Sequence, residues 1–429
     1  MTGCTEVTFE NGLKVMLKEI HTSPLISQWT WYRVGSKDEA TGQTGISHWV
    51  EHMQFKGTPQ FPASVLDKAI AREGGQWNAF TFLDWTTYYE TMPSARIDLA
   101  LRLEADRMQN SEFLAQEVES ERTVIISERE GSENEPLFLL GEAMQQAAFR
   151  VHPYHHEVIG DRADLLSITR DQLYQHYRSY YLPNNAVLAL AGDFDSGEML
   201  ARIRDLYAGI PAGAQPARLV RPEPQQPGEI RLSVEGPGET AFLEVAYRAP
   251  AASDPDFFGL AVLDSLLAGP SNLNMFGGGG ISNKTSRLYH AVIDKELAVG
   301  IHGGSSATID PFLYTFTVTG HPDRHLDQAL AALDMEIERL QNEPVSPEEV
   351  ARAIKQARAM FAYGAENITN QAFWLGYAEM FADYNWFTSY LDKLSQVTPA
   401  DVLRAAQTFF QPRGRVVGMY VPTGAGDEE

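Results

Sequence analysis

The sequence contains a single cysteine, Cys4, among its 429 residues. One cysteine cannot form a disulfide within the chain, so nothing in the fold requires an oxidising compartment. A zinc site built from several thiolates is also excluded, and any metal has to be held by histidines and carboxylates.

Long apolar segments and a recognisable leader are lacking as well. No stretch approaches the roughly 20 apolar residues that a membrane-spanning helix needs. The chain begins MTGCTEVTFENGLKVML, which does not place a basic segment before an apolar one as a signal peptide does. We therefore expect no membrane span and a cytoplasmic location.

Positive charge is scarce. The 34 Lys and Arg residues against 57 Asp and Glu give a net charge of -23, and no basic cluster of the kind that binds phosphate backbones is present. We therefore expect no nucleic-acid partner. An acidic surface suits cationic ligands such as basic peptides or a metal ion, although acidity also serves simply to keep a protein soluble.

The length predicts two or three domains. The segment 212–228 is rich in Pro, Gln and Arg, has little periodicity and is typical of an interdomain linker. We predict an N-terminal domain over residues 1–211 and a C-terminal domain over residues 229–429.

The two halves of the sequence resemble each other. Near the end of each half, the pattern predicts a helix that begins at a threonine, followed by an aromatic pair, a proline turn and a final apolar strand. The matched positions are Thr169 with Thr398, Tyr180 and Tyr181 with Phe409 and Phe410, and Pro183 with Pro412. A second pair of amphipathic helices occurs earlier in each half, in the same order, so we infer a duplication.

Strand and helix patterns are mixed within each half. In the first half we expect strands at 7–19 and 26–34 and a strand pair over 76–91, and helices at 45–55, 63–73, 94–109 and 115–130. This mixture predicts an α+β fold with two homologous domains, each with helices packed on a mixed, mostly antiparallel sheet.

The strongest chemical signal is the segment His48-Trp49-Val50-Glu51-His52. On a helix, His48 and His52 share a face and can reach one ion, and Glu51 lies beside them. The pattern H-x-x-E-H is the inverted zinc-peptidase motif. Two imidazoles and one carboxylate leave zinc a position for water, whose proton a nearby carboxylate can take. The alternative is a polar helix face that carries two unligated histidines.

A third ligand has to come from elsewhere in the chain. The helical segment EVESERTVIISEREGSENE is dense in carboxylates, and its Glu121 and Glu128 are seven residues apart on one face. The pattern alone does not separate Glu121, Glu128 and Glu130 as ligands. A solvated acidic helix is the alternative interpretation.

These segments resemble the pitrilysin/insulinase family of zinc peptidases, which includes mitochondrial processing peptidase, and the chain looks like a bacterial-type subunit of that kind. The matching segments are GISHWVEHMQFKGT, GGQWNAFTFLDWTTYYETM, SERTVIISERE, the run from HPY to VLALAGD and, weakly, SNKTSRLYHAVIDKELA. The resemblance implies one zinc ion per chain, held by His48, His52 and Glu128. It also implies Glu51 as the general base and Glu121 as a carboxylate that orients the site.

The resemblance also implies where a substrate binds. The strand around 74–81 would pair its edge with an extended peptide, with Asn78, Ala79 and Phe80 in contact with it. In the second half, Tyr314 matches a substrate-binding tyrosine of the family, but no arginine accompanies it between residues 287 and 324. The segment 257–269, at the place of the paired histidines, has none and should bind no zinc.

Relatives of this size form two-subunit clamshells, either heterodimeric or homodimeric. We therefore expect this chain to be half of a clamshell with a homologous partner subunit, and we favour a heterodimer over a homodimer. The resulting prediction is a zinc endopeptidase that hydrolyses short or unfolded peptides. The alternative is a zinc-binding, peptide-binding subunit that does not cleave alone. A non-catalytic interaction protein and a hydrolase of small molecules are further classes, and the intact motif and the peptide-strand resemblance argue against them.

Overall fold

The computed structural model describes residues 3–214, 218, 220–274 and 280–424. These residues form two compact units. The first unit consists of the described residues within 1–129, 156–220 and 365–387, and the second of those within 130–155, 221–364 and 388–429. Four positions of the predicted linker, 215–217 and 219, lie outside the described residues.

The described residues form eleven strands and fourteen α-helices. The strands are β1 (Cys4–Thr8), β2 (Lys14–Glu19), β3 (Leu25–Tyr32), β4 (Gln76–Thr81), β5 (Thr86–Pro93), β6 (Ala186–Gly192), β7 (Ile230–Gly236), β8 (Phe242–Arg248), β9 (Ala298–Ser305), β10 (Leu313–Gly320) and β11 (Val416–Pro422). The helices are α1 (Ile46–Met53), α2 (Ala63–Arg72), α3 (Ile97–Asn110), α4 (Ala115–Ser132), α5 (Pro136–Ala148), α6 (Arg162–Ser167), α7 (Arg170–Tyr180), α8 (Ser196–Tyr207), α9 (Phe257–Leu267), α10 (Leu326–Asn342), α11 (Pro347–Tyr363), α12 (Ile368–Phe381), α13 (Tyr384–Gln396) and α14 (Pro399–Phe409).

Each unit is built on one sheet. The first sheet has the order β1-β2-β6-β3-β5-β4 and the second the order β7-β11-β8-β10-β9. In both sheets one strand pair is parallel, β2 with β6 and β7 with β11, and the other pairs are antiparallel. The predicted α+β fold with mixed, mostly antiparallel sheets is confirmed.

The two sheets share one topology, apart from the extra edge strand β1. Strands β2, β6, β3, β5 and β4 correspond in order and direction to β7, β11, β8, β10 and β9. The threonine caps also correspond, because Thr169 and Thr398 each begin a helix with a capping box. This correspondence supports the inferred duplication.

One helix from each half of the sequence packs on the sheet of the other half. Helix α12 packs on β2, β3 and β6, where Gly376 lies so close to Trp31 that a Cβ atom would be 2.2 Å from the indole. Helix α5 packs on β7, β8 and β11, where Met144 lies over Gly418 in the same way. The sequence pattern shows where the two repeats lie along the chain. The compact units instead contain each sheet together with the helices that pack on it. The compact units therefore differ from the ranges 1–211 and 229–429 in these two segments.

The expected elements of the first half are present, with one difference. The predicted strand at 7–19 is a hairpin of β1 and β2, which turns through residues 9–13. Asn11 and Gly12 lie in that turn, and Gly12 has a φ of +86° that glycine adopts without strain. None of the described helices is both long enough and apolar enough to span a bilayer.

Both faces of the first sheet are covered. On one face, Trp29 and Trp31 of β3 pack against Phe373 of α12. On the other face, helices α1 and α3 pack on β5 and its neighbours. Strand β4 lies at the edge of the sheet, beside α1.

Candidate metal centre

Helix α1 begins at a residue that has to be glycine. Gly45 caps the helix with a φ of +85°, and a Cβ atom there would lie 2.4 Å from the backbone oxygen of Ile159. Its backbone N–H and that of Ser47 each donate a 2.8 Å hydrogen bond to the carboxylate of Glu39. A buried acid thus caps the free N–H groups of this helix end.

The two histidines of α1 face each other across one helical turn. His48 Nε2 and His52 Nε2 are 3.2 Å apart, and the ring centroids are separated by 4.5 Å with an edge-on orientation. The spacing of four residues produces this arrangement, because positions i and i+4 lie on one face.

Glu128 projects from α4 towards the same two nitrogens. Its carboxylate oxygens lie 3.9 Å from His48 Nε2 and 3.6 Å from His52 Nε2. Among the described residues, His48, His52 and Glu128 are the one group of three His, Cys, Asp or Glu side chains whose ligand atoms all lie within 4.8 Å of each other. Glu130, which the sequence left as an alternative, is exposed and outside this group.

Glu121 lies two helical turns before Glu128. It contacts the His52 imidazole on the side opposite to Nε2. Its Oε1 is 2.8 Å from His52 Nδ1, and its Oε2 forms an ion pair with Lys56. Burial would raise the pKa of Glu121, but the bonds to His52 and Lys56 outweigh it and lower the pKa. With Nδ1 engaged by a carboxylate, His52 presents Nε2 to His48 and Glu128.

Glu51 is buried beside the histidines but points elsewhere. Its Oε2 accepts a 2.6 Å hydrogen bond from the hydroxyl of Thr81 on β4. Burial raises the pKa of Glu51 to about 7 despite this hydrogen bond. A carboxyl group with a pKa near neutrality can both accept and return a proton.

The histidines differ in their electrostatic surroundings. Burial, helped by the neighbouring His52, lowers the pKa of His48 to about 3, so its imidazole is neutral. For His52, burial opposes protonation, but the hydrogen bond to Glu121 and the nearby carboxylates outweigh it and raise the pKa.

The converging atoms fit a zinc ion. Two ligand atoms bound tetrahedrally at about 2.0–2.1 Å from zinc lie roughly 3.3 Å apart. The two Nε2 atoms are 3.2 Å apart, one Glu128 oxygen is 3.9 Å from His48 Nε2, and the other Glu128 oxygen is 3.6 Å from His52 Nε2. One oxygen of Glu128 and one nitrogen of each imidazole all lie within 4.8 Å of each other. Two imidazoles and one carboxylate are also the ligand set of zinc sites that keep a position open. A hydrogen bond between the two rings explains their approach but not the convergence of Glu128.

The predicted substrate strand lies at the edge of the first sheet. Asn78 is exposed, Phe80 is half-buried, and Ala79 is buried on the face towards α1. The backbone N–H of Ala79 donates a 2.9 Å hydrogen bond to the side-chain oxygen of Asn78. The carboxamide of Asn78 therefore occupies a backbone donor of this edge strand.

Tyr314 differs from its expected role. The sequence placed it at the substrate, but its side chain on β10 is fully buried and its hydroxyl donates a 2.6 Å hydrogen bond to Asp264 of α9. Asp264 also accepts hydrogen bonds from the backbone and hydroxyl of Ser271. Tyr314 therefore offers no surface to a ligand in this structure, because its side chain is packed inside the second unit.

Sequence reasoning missed three residues that support the centre. Glu39 caps α1, Thr81 holds Glu51, and Lys56 pairs with Glu121. None of the three carried a signal in the sequence, since even Lys56 lies beyond the end of α1 at Met53, where helical spacing no longer applies. The contacts of Glu39 and Thr81 depend on how α1 and β4 pack in three dimensions.

Two family models match the chain. The model described as Insulinase (Peptidase family M16) matches residues 14–162 and so includes His48, His52 and Glu128. The model described as Peptidase M16 inactive domain matches residues 167–357.

Similar proteins include proteases from bacteria and a plant. Zinc protease PqqE of Helicobacter pylori is 26% identical over 418 residues, which is 94% of this chain and 90% of that protein. The probable mitochondrial-processing peptidase subunit beta of Arabidopsis thaliana is 28% identical over 355 residues, 82% of this chain and 66% of that protein.

Solved structures share the fold over nearly the whole chain. A protease from Helicobacter pylori has a TM-score of 0.89 at 25% identity, with 98% of this chain and 99% of that chain covered. The periplasmic protease PqqL from Escherichia coli has a TM-score of 0.79 at 21% identity, with 98% of this chain but 48% of that chain covered. This chain thus spans about half the length of PqqL.

Proposed function

Because the chain belongs to the insulinase family of peptidases, family M16, we propose that it is a zinc-dependent endopeptidase of short or unfolded peptides. The observation that carries the proposal is the convergence of His48, His52 and Glu128 beside the buried carboxyl of Glu51. That combination would supply a metal site and a proton carrier in one place.

His48, His52 and Glu128 would hold one zinc ion per chain, and Glu121 would keep His52 in the tautomer that binds through Nε2. When bound, zinc supplies Lewis-acid chemistry, which polarises a peptide carbonyl and acidifies a water molecule. Zinc is also the metal in the name of PqqE.

Glu51 would move the protons. Its Oε2 is held by Thr81, which leaves Oε1 to accept the proton of the attacking water and to return it to the departing amine. The pKa of about 7 that burial gives Glu51 suits both transfers near neutral pH.

The open edge of β4 would position the substrate. An extended peptide can add to this edge as a further strand, and backbone pairing of that kind selects for unfolded segments more than for sequence. The carboxamide of Asn78 would leave the N–H of Ala79 as the peptide pairs, and would then bond to the peptide itself. Phe80 would contribute an apolar contact.

A homologous partner subunit would complete the peptidase. The chain matches about half of the single PqqL chain, which supports a second subunit in place of the other half. We favour a heterodimer, with a homodimer as the other arrangement.

Two observations on the second half of the chain favour a second function. Tyr314 is buried, and no arginine occurs between residues 287 and 324. A chain without its own substrate contacts in the second half would bind zinc and peptide but cleave only with a partner. In that case it is a peptide-binding subunit of a heterodimeric peptidase.

The test combines metal analysis with cleavage of an unfolded, internally quenched peptide. The wild type and Glu51→Gln are each assayed alone and with a homologous candidate subunit. We expect about one zinc per wild-type chain, and we expect Glu51→Gln to keep zinc and lose turnover by roughly 10²–10⁴. Partner-dependent cleavage that is lost in Glu51→Gln supports the first function, and partner-dependent cleavage that survives Glu51→Gln supports the second. Full activity of the wild type alone contradicts the need for a partner. A wild type without zinc contradicts both functions.

A further inference from the structure

Lys56 lies just after helix α1, and the carboxylate of Glu121 links its side chain back to that helix. The residue lies four positions after His52, and its backbone N–H donates a 3.0 Å hydrogen bond to the oxygen of Met53, which continues the chain as a turn. Its ammonium lies against Oε2 of Glu121, while Oε1 of the same carboxylate is 2.8 Å from His52 Nδ1. One carboxylate therefore joins an imidazole and an ammonium from the same stretch of chain.

The degree of burial makes this arrangement different from a surface ion pair. The side chain of Glu121 is 6% exposed, and those of His52 and Lys56 are 21% and 25% exposed. A buried carboxylate that loses its cation is costly, whereas an exposed ion pair contributes little. Lys56 supplies that cation, so the orientation of Glu121 depends on it.

Glu121 also joins α4 to α1 next to the metal site through its bond to His52, beside the contact of Arg122 with the ring of Trp49. Glu128 lies seven residues further along α4, on the same face. A shift of the Glu121 carboxylate would therefore disturb two groups at once, the ring of His52 through its Nδ1 and Glu128 through the helix.

We propose that Lys56 is a positioning residue of the zinc site. It fixes the Glu121 carboxylate so that His52 presents Nε2 and Glu128 stays within reach. This inference rests on the proposed zinc-dependent function, and it assigns to Lys56 an effect on zinc affinity that passes through Glu121.

The experiment is a double-mutant cycle on zinc affinity, measured with zinc alone by competition against a chelating indicator. The variants are Lys56→Met, Glu121→Gln and the pair combined, with Lys56→Arg as the variant that keeps the charge. Lys68→Met is the matched control, because Lys68 is an exposed lysine on α2 of the same unit. Melting temperatures of the zinc-free proteins are measured in parallel.

We expect Lys56→Met to weaken zinc binding by about 10- to 100-fold, the range typical of residues that orient a metal ligand. Lys56→Arg should restore affinity to within about threefold, and Lys68→Met should bind as the wild type does. In the Glu121→Gln background, Lys56→Met should change affinity by less than about threefold, because the residue through which it acts is already altered.

Provided that the wild type binds zinc, either of two results overturns the proposal. One is an unchanged zinc affinity in Lys56→Met. The other is that Lys56→Met lowers zinc affinity as much in the Glu121→Gln background as in the wild type. If Lys56→Met does not fold, Lys56→Gln takes its place in the cycle with the same expectations. If the wild type itself does not bind zinc, the proposed zinc-dependent function is wrong. That result differs from one in which the wild type binds zinc and Lys56 has no effect.

Discussion

The hydroxyl of Thr81 donates a 2.6 Å hydrogen bond to the carboxylate of Glu51. Thr81 is the last residue of the edge strand β4, and Glu51 lies on the helix with the paired histidines. One hydrogen bond thus joins the strand proposed to bind the peptide to the carboxyl group proposed to transfer protons in its hydrolysis.

Removing this bond should slow the reaction without removing the metal. A hydrogen bond to a charged group contributes about 1.5–3 kcal/mol, so we expect Thr81→Val to lower kcat by about tenfold or more. The measurement is steady-state cleavage of a quenched peptide, together with zinc content. Thr81→Ser keeps the hydroxyl and should retain most of the activity. A Thr81→Val protein with wild-type kcat would show that the bond does not orient Glu51 for catalysis.

Glu128 and Glu130 form a matched pair for testing the third ligand. Both are exposed acids on α4, but only Glu128 lies near the two Nε2 atoms. We expect Glu128→Ala to weaken zinc binding by more than the roughly 100-fold typical of residues outside the ligand set, and Glu130→Ala to leave it unchanged. Zinc affinity is measured by indicator competition, and equal behaviour of the two variants would remove Glu128 from the site.

His176 should make stability depend on pH. It is buried on α7 with its Nε2 3.3 Å from the hydroxyl of Ser47, and burial lowers its pKa to about 3. In the unfolded chain its pKa is about 6.5. As pH falls below 6.5 only the unfolded state binds the proton, so the free energy of unfolding falls until pH reaches about 3.

At pH 5.5 this loss amounts to about 1.4 kcal/mol from His176. Urea unfolding at pH 7.5 and pH 5.5 measures it, with His176→Gln as the comparison because Gln can still bond to Ser47. The drop between the two pH values should be smaller in the variant by about that amount. Equal drops would mean that His176 does not contribute.

Gly45 and Gly42 separate backbone strain from steric contact. Both have a φ near +85°, but a Cβ atom at Gly42 meets nothing within 4 Å, whereas one at Gly45 meets the backbone oxygen of Ile159. We expect Gly42→Ala to cost about 1 kcal/mol of unfolding free energy and Gly45→Ala roughly 3 kcal/mol or more. Chemical unfolding compares them, and similar costs would place the whole effect in the backbone conformation.

The sequence alone predicted the parts of the molecule that depend on local spacing. The pair His48 and His52 is a helix-periodic signal, and the threonine caps at Thr169 and Thr398 are local as well. The choice of Glu128 among the acids of α4 came from the resemblance to a family and not from the pattern. The duplication was visible because both halves repeat the same order of elements.

Features that depend on packing between distant segments were not predictable. Glu39 reaches the start of α1, and Thr81 reaches Glu51, only because a loop and a strand fold back beside the helix. Tyr314 looked available in the sequence, but a buried acid, Asp264, takes its hydroxyl. A pattern of residue types does not record which side of a strand ends in the core.

Helices α5 and α12 each pack on the sheet of the other half of the sequence. This arrangement constrains how the chain could have evolved and how it can be divided. A fragment ending near residue 211 would lack the helix that covers the tryptophans of β3, and a fragment beginning near residue 229 would lack the one over β11. Each fragment would leave a large apolar surface in water. Cutting the chain between the repeats therefore takes from each sheet the helix that covers it, so we expect neither piece to fold by itself.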